Sequence, residues 1–117
     1  MKSVYVPMDE LIACYMTARE VLCVTKDEIL RFAFFLKNEL NEMGYGVRVD
    51  QSFDILSERK DVFSIGNFGI SAKSNEALNK EILDFLNIEK VKLFQLISRN
   101  FIKTKELDDI DDENNGE

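Results

Sequence analysis

The chain contains no histidine. That removes the commonest general base, the commonest metal ligand and the usual partner of a serine or cysteine nucleophile. Carboxylates and lysine remain as catalytic groups, but no paired-carboxylate pattern is spaced for acid–base work. Cys14 lies beside Leu11 and Tyr15, and Cys23 lies between Leu22 and Val24. Apolar settings of this kind predict two small buried hydrophobes rather than reactive thiols. Gly44-Tyr45-Gly46 follows a helical stretch and no Gly-Lys-Ser/Thr comes after it, so these glycines end a helix rather than cradle a phosphate. Asp109, Asp111 and Glu113 repeat the first three ligand spacings of a calcium loop. Asn114 stands where that loop needs glycine, and the chain stops before its bidentate glutamate. The residues thus offer no catalytic, cofactor-binding or metal-binding set, and the expectation is a protein that is not an enzyme.

Charge is distributed in blocks. Residues 1–89 carry ten Lys/Arg and fifteen Asp/Glu, residues 90–105 carry five bases and no acid, and residues 106–117 carry seven acids and no base. A basic segment abutting an acidic one points to an interaction with a polyanion or with the chain's own end. At ~100° per residue, Lys92, Arg99 and Lys103 share one sector of a helix, with Lys90 at its start. Leu93, Phe94, Ile97 and Phe101 fall on the opposite side. A stripe of this kind is ordinarily a solvated face whose late cations suit the helix dipole. It is also an anion site with two possible clients: the tethered acidic tail, at millimolar effective concentration, or nucleic acid. Residues 82–96 carry apolar residues at Ile82, Leu83, Leu86, Ile88, Leu93 and Leu96, roughly where a helix-turn-helix is buried. The turn at Leu86-Asn87-Ile88 lacks the usual glycine, however. A plain helical hairpin on a sheet is the simpler expectation.

The second apolar candidate is a helix over about Lys26 to Met43. Ile29, Phe32, Ala33, Leu36, Leu40 and Met43 form its main stripe, and Leu30, Phe34 and Phe35 lie outside it. A helix apolar on more than one face is either central in a core or covers a partner. In the second case Leu30, Phe34 and Phe35 form a protein interface.

The elements that position these residues follow from local patterning. Ser3 to Val6 is a β-prone run closed by Pro7 and reads as an edge strand. From Asp9 the spacing turns helical through Leu11, Ile12, Tyr15, Met16, Arg19 and Leu22. Thr25-Lys26-Asp27-Glu28 has the form of a capping box opening the second helix. Val47 and Val49 alternate with Arg48 and Asp50 as in a half-buried strand. Phe53 and Ile55 either extend that strand or follow a short helical turn capped by Ser52. Residues 62–65 and 68–71 flank Gly66-Asn67, the signature of a hairpin with glycine at the positive-φ position of a type II′ turn. Ser74 or Asn75 caps a third helix, and a fourth runs over about Glu89 to Lys103.

The predicted fold is α+β: a small antiparallel sheet of three to five strands, including the 62–65/68–71 hairpin, with about four helices packed mainly on one face. Residues 1–104 make one domain and 105–117 a disordered acidic tail. Met1 to Leu22 lacks the uninterrupted apolar core of a signal peptide, and no apolar run approaches the ~20 residues that span a bilayer. A cytoplasmic protein with no membrane contact is expected. By exclusion its function is that of a small regulatory or inhibitory protein that binds another protein, a second copy of itself included. The alternative is a nucleic-acid-binding regulator that uses residues 75–105 and is gated by its tail.

Overall fold

A computed structural model describes the backbone of residues 2–85 and 88–115 and the side chains of residues 2–84 and 89–104. The elements are β1 (Ser3–Val6), α1 (Met8–Arg19), β2 (Cys23–Thr25), α2 (Lys26–Glu42), β3 (Gly46–Val49), a 3-10 turn (Asp54–Glu58), β4 (Phe63–Ile65), β5 (Gly69–Ala72), α3 (Asn75–Phe85) and α4 (Ile88–Asn115). The architecture is α+β, as the patterning predicts, but the strands form two sheets rather than one. β2, β5 and β4 make an antiparallel sheet in that order, while β1 and β3 make a separate parallel pair. The pair is parallel because α1, β2 and α2 form the crossover between its strands.

Helix α1 is the centre of the molecule. Every residue from Met8 to Met16 is buried. α3 and α4 both pack on it. α2 instead buries only the stripe Ile29, Phe32, Ala33, Leu36 and Leu40. Of the two positions open to an apolar helix, α1 takes the central one and α2 the peripheral one. Where α1, α2 and α4 meet, four rings pack together. Tyr15 stacks on Phe32 at 4.7 Å between centroids, and Phe101 lies 5.9 Å from Tyr15, 5.5 Å from Phe32 and 5.2 Å from Phe35.

Local chemistry sets the helix ends. The Thr25 hydroxyl accepts from the Glu28 N–H at 3.0 Å, half of the expected capping box, while the Glu28 carboxylate pairs with Arg19 on α1. α2 ends in a Schellman turn: the Tyr45 N–H donates to the Leu40 carbonyl and the Gly44 N–H to the Asn41 carbonyl, both at 3.0 Å. Gly44 sits at φ 93°, which the missing Cβ makes cheap. The Ser74 hydroxyl caps α3 by accepting from the Ala77 N–H at 3.0 Å. Residues 54–58 form the short helical turn rather than an extension of β3, and the Ser52 hydroxyl accepts from the Asp54 N–H at 3.2 Å.

The hairpin forms one residue away from the expected register. Ile65 pairs with Ile70, and the Gly66 N–H donates to the Gly69 carbonyl at 2.8 Å, so the turn residues are Asn67 and Phe68. No residue of this turn has a positive φ, and the type II′ expectation is corrected accordingly. The glycine that matters is Gly69. It lies opposite Thr25, and a Cβ there would stand 2.5 Å from the Val24 carbonyl oxygen. That contact is with backbone, which cannot swing aside. Gly69→Ala is therefore expected to lower stability by about 1–3 kcal/mol, read as a drop in the urea unfolding midpoint at unchanged slope.

Candidate functional site

Three places bring together residues that could act on something else: a cleft beside β1, the outer face of α2, and the outer face of α4.

The cleft has a volume of about 540 Å³ and runs between β1 and the start of α4. Its floor is an ion pair that the sequence gives no sign of. Pro7 starts α1, which places Glu10 in the first turn beside β1. Lys90 reaches across from α4, with its Nζ 3.1 Å from Glu10 Oε2 and 3.0 Å from the Tyr5 carbonyl oxygen. The same ammonium lies 5.6 Å from the centre of the Phe94 ring. Lys90 is thus held on the inner side of α4 and does not belong to the outer basic stripe, a correction to the sequence expectation. Lys2, Pro7, Tyr45, Leu93 and Phe94 also line the cleft. Tyr5 donates outward to Asp50 Oδ2 at 3.3 Å, under the Arg48 guanidinium.

Burial raises the Glu10 carboxyl above the ordinary glutamate value of 4.5, against the opposing pull of Lys90. Glu81 behaves alike: it is buried on α3 and paired with Arg59, and burial again outweighs the arginine. Burial pushes the Cys14 thiol up to about 12, so it holds its proton and is inert. Cys23 differs from the expectation. It is exposed on β2, opposite Ser71, because alternation along the strand turns Val24 into the core and Cys23 to the outer face. The Tyr15 hydroxyl is buried beside Glu28 and Arg19, and burial followed by the Glu28 charge pushes it up to about 12. Among the described residues no three His, Cys, Asp or Glu side chains are grouped to hold a metal ion. No helix among them is long and apolar enough to cross a membrane.

On α2, Phe34 is 65% exposed and Leu30, one turn earlier, is 37% exposed. Phe35 is half-buried against Phe101 and so leaves the proposed interface for the core. On α4, Lys92, Arg99 and Lys103 are all exposed, with exposed Leu96 among them. Among the described residues α3 and α4 each pack on α1, and Leu83 is 76% exposed. The expected turn at Leu86-Asn87 lies outside the described residues. α4 continues as helix to Asn115. The side chains from 105 onward lie outside the described residues, and with them the tail's expected fold-back and its Asp109-Asp111-Glu113 spacing. Sequence reasoning also missed Phe68, 89% exposed at the hairpin tip. The signal available was its place between Asn67 and Gly69, which is turn chemistry on both sides.

No family model matches the chain, no curated protein is similar to it, and no solved structure resembles it.

Glu10 and Glu81 carry a pH dependence whose sign is fixed. Each is an acid raised in the folded state, so the native form binds more protons than the unfolded chain once the pH passes about 4.5. Their contribution to stability is therefore complete below that pH and is lost as the pH rises through the higher native values. Urea midpoints taken between about pH 4 and pH 7 should fall more steeply for the natural chain than for a Glu10→Gln/Glu81→Gln double variant. Parallel profiles would show that Lys90 and Arg59 cancel the cost of burial.

Proposed function

We propose that this is a small non-enzymatic regulatory or inhibitory protein of the cytoplasm that acts by binding another protein through the outer face of α2. The observation that carries the reading is Phe34, a large ring mostly in water on a helix whose other large rings are buried or half-buried. Leu30 lies on the same face one turn away, the spacing by which a helix presents anchors to a groove or to a second helix. Covering a phenylalanine side chain is worth about 1.5–3 kcal/mol, enough to make it an anchor within a larger interface. Pairs such as Asp27–Arg31 on the same helix supply a polar rim. A second copy of the chain is one form the partner can take.

A photo-crosslinking residue at position 34 should give a discrete protein adduct in cells that make the chain. Phe34→Asp should weaken that complex by about 10–100-fold while leaving circular dichroism and thermal midpoint unchanged. Sedimentation velocity distinguishes a self-complex from a foreign one. A strictly monomeric chain with no adduct at position 34 would end the proposal.

A second reading rests on a different observation, the exposure of Lys92, Arg99 and Lys103 on one side of α4. Here the partner is nucleic acid and the acidic segment competes for the same cations. Labelled duplex DNA should then bind a chain ending at Lys105 more tightly than the full chain. With three phosphate contacts, log affinity should fall with log salt at a slope of about −3. Equal affinities for the two chains would remove the gating role, and no binding by either would leave the stripe as a solvated face.

A further inference from the structure

We propose that the open edge of β1 receives an extended segment of a partner protein as a third strand, laid in the cleft between β1 and α4. This surface is distinct from the α2 face.

The backbone makes the first argument. Among the described residues β1 is paired along one edge only, with β3. The Lys2 carbonyl accepts from the Gly46 N–H at 2.8 Å and the Val6 carbonyl from the Asp50 N–H at 3.0 Å, so the even-numbered residues of β1 face β3. Alternation along a strand then turns the polar groups of Ser3 and Tyr5 to the other side. Lys90 marks that side, since its ammonium reaches the Tyr5 carbonyl from α4. The Ser3 N–H, the Ser3 carbonyl and the Tyr5 N–H remain directed along the edge. A peptide residue placed opposite Ser3 in antiparallel sense exchanges two hydrogen bonds with it. Ser-Val-Tyr-Val itself contains no proline or charge of the kind that blunts an edge strand. A parallel ladder of only two strands is also unusual, because parallel sheets ordinarily have both neighbours and both faces covered.

The shape of the cleft makes the second argument. β1 runs about 13 Å at ~3.3 Å per residue, and four consecutive residues, Lys2 to Tyr5, line the cleft along that length. The volume of about 540 Å³ is enough to hold a short extended segment. Leu93 and Phe94 form an apolar wall for the side chains that point inward.

Charge chooses the sequence of the segment. Lys90 is engaged with Glu10. Lys2 is exposed and makes no ion pair among the described residues, so it is the cation left for the ligand. Glu89 on the facing wall opposes a run of acids. The occupant is therefore an extended peptide with apolar residues at alternate positions and a single acidic side chain beside Lys2.

The probe is a phage-displayed random heptapeptide library panned against the intact chain. Enriched peptides are expected to alternate apolar residues and to carry one acid. Ser3→Pro removes an edge N–H that β3 does not use, and should weaken the synthetic consensus peptide about tenfold with the circular dichroism unchanged. Panning against Lys2→Glu should replace the acid with Lys or Arg. Phe34→Asp should bind the peptide as the natural chain does, which separates this site from the α2 face. Failure to enrich any peptide, equal binding by Ser3→Pro, the same consensus from Lys2→Glu, or loss of binding in Phe34→Asp would each overturn the proposal.

Discussion

Nine consecutive residues of α1, Met8 to Met16, are shielded from water on every side, and a helix in that position obliges the rest of the chain to surround it. α3 and α4 pack against it directly, and Tyr15 joins it to α2 through Phe32. The two small sheets are consequences of the same demand. The two-stranded pair is too small to stand alone, and each sheet closes a side of a helical core. Burial on this scale also draws in Asp9 and Glu10, which sit on the first turn of α1 and have no outward face to occupy. Lys90 then has to come from α4 to meet Glu10, and the cleft beside β1 exists because a cation is anchored across it.

Much of this arrangement was legible in the residues. The Thr25 cap, the glycine that ends α2, the Ser74 cap and the existence of the β4–β5 hairpin, though not its register, all rest on local chemistry, which acts within a few positions of the chain. The central place of α1 was legible in part. Leu11-Ile12-Ala13-Cys14-Tyr15-Met16 is an unbroken apolar run, and such a run in a helix leaves no polar face. Asp9, Glu10 and Arg19 masked it, because charged residues ordinarily mark a wet surface. Whether they do is decided by partners on other helices, such as Lys90 for Glu10 and Glu28 for Arg19.

The same distinction divides the candidate sites. Phe34 and Leu30 were visible as apolar residues off the main stripe of α2, whereas the assignment of Phe35 to the core depended on where Phe101 arrives. Lys90 and Lys92 are two positions apart, and helical geometry turns them to different sides. β2 is three residues long and β1 pairs with a strand some forty positions later. Neither fact has a local signature, so neither the second sheet nor its open edge follows from periodicity. Cys23 reads as buried from its apolar neighbours, and only the alternation of β2, with Val24 turned inward, places it in solvent.

The contact of Phe101 with Tyr15 and Phe32 ties the last helix to the first two. It therefore governs the order in which the chain can complete itself during synthesis. α1 is translated well before α4, one of the elements that cover it. At ~5–20 residues per second that interval lasts several seconds. Throughout it the nascent chain displays its stickiest helix with no cover from α4. Packing that serves the finished molecule thus creates a period of vulnerability to aggregation and a need for chaperone attention that ends when α4 closes over α1.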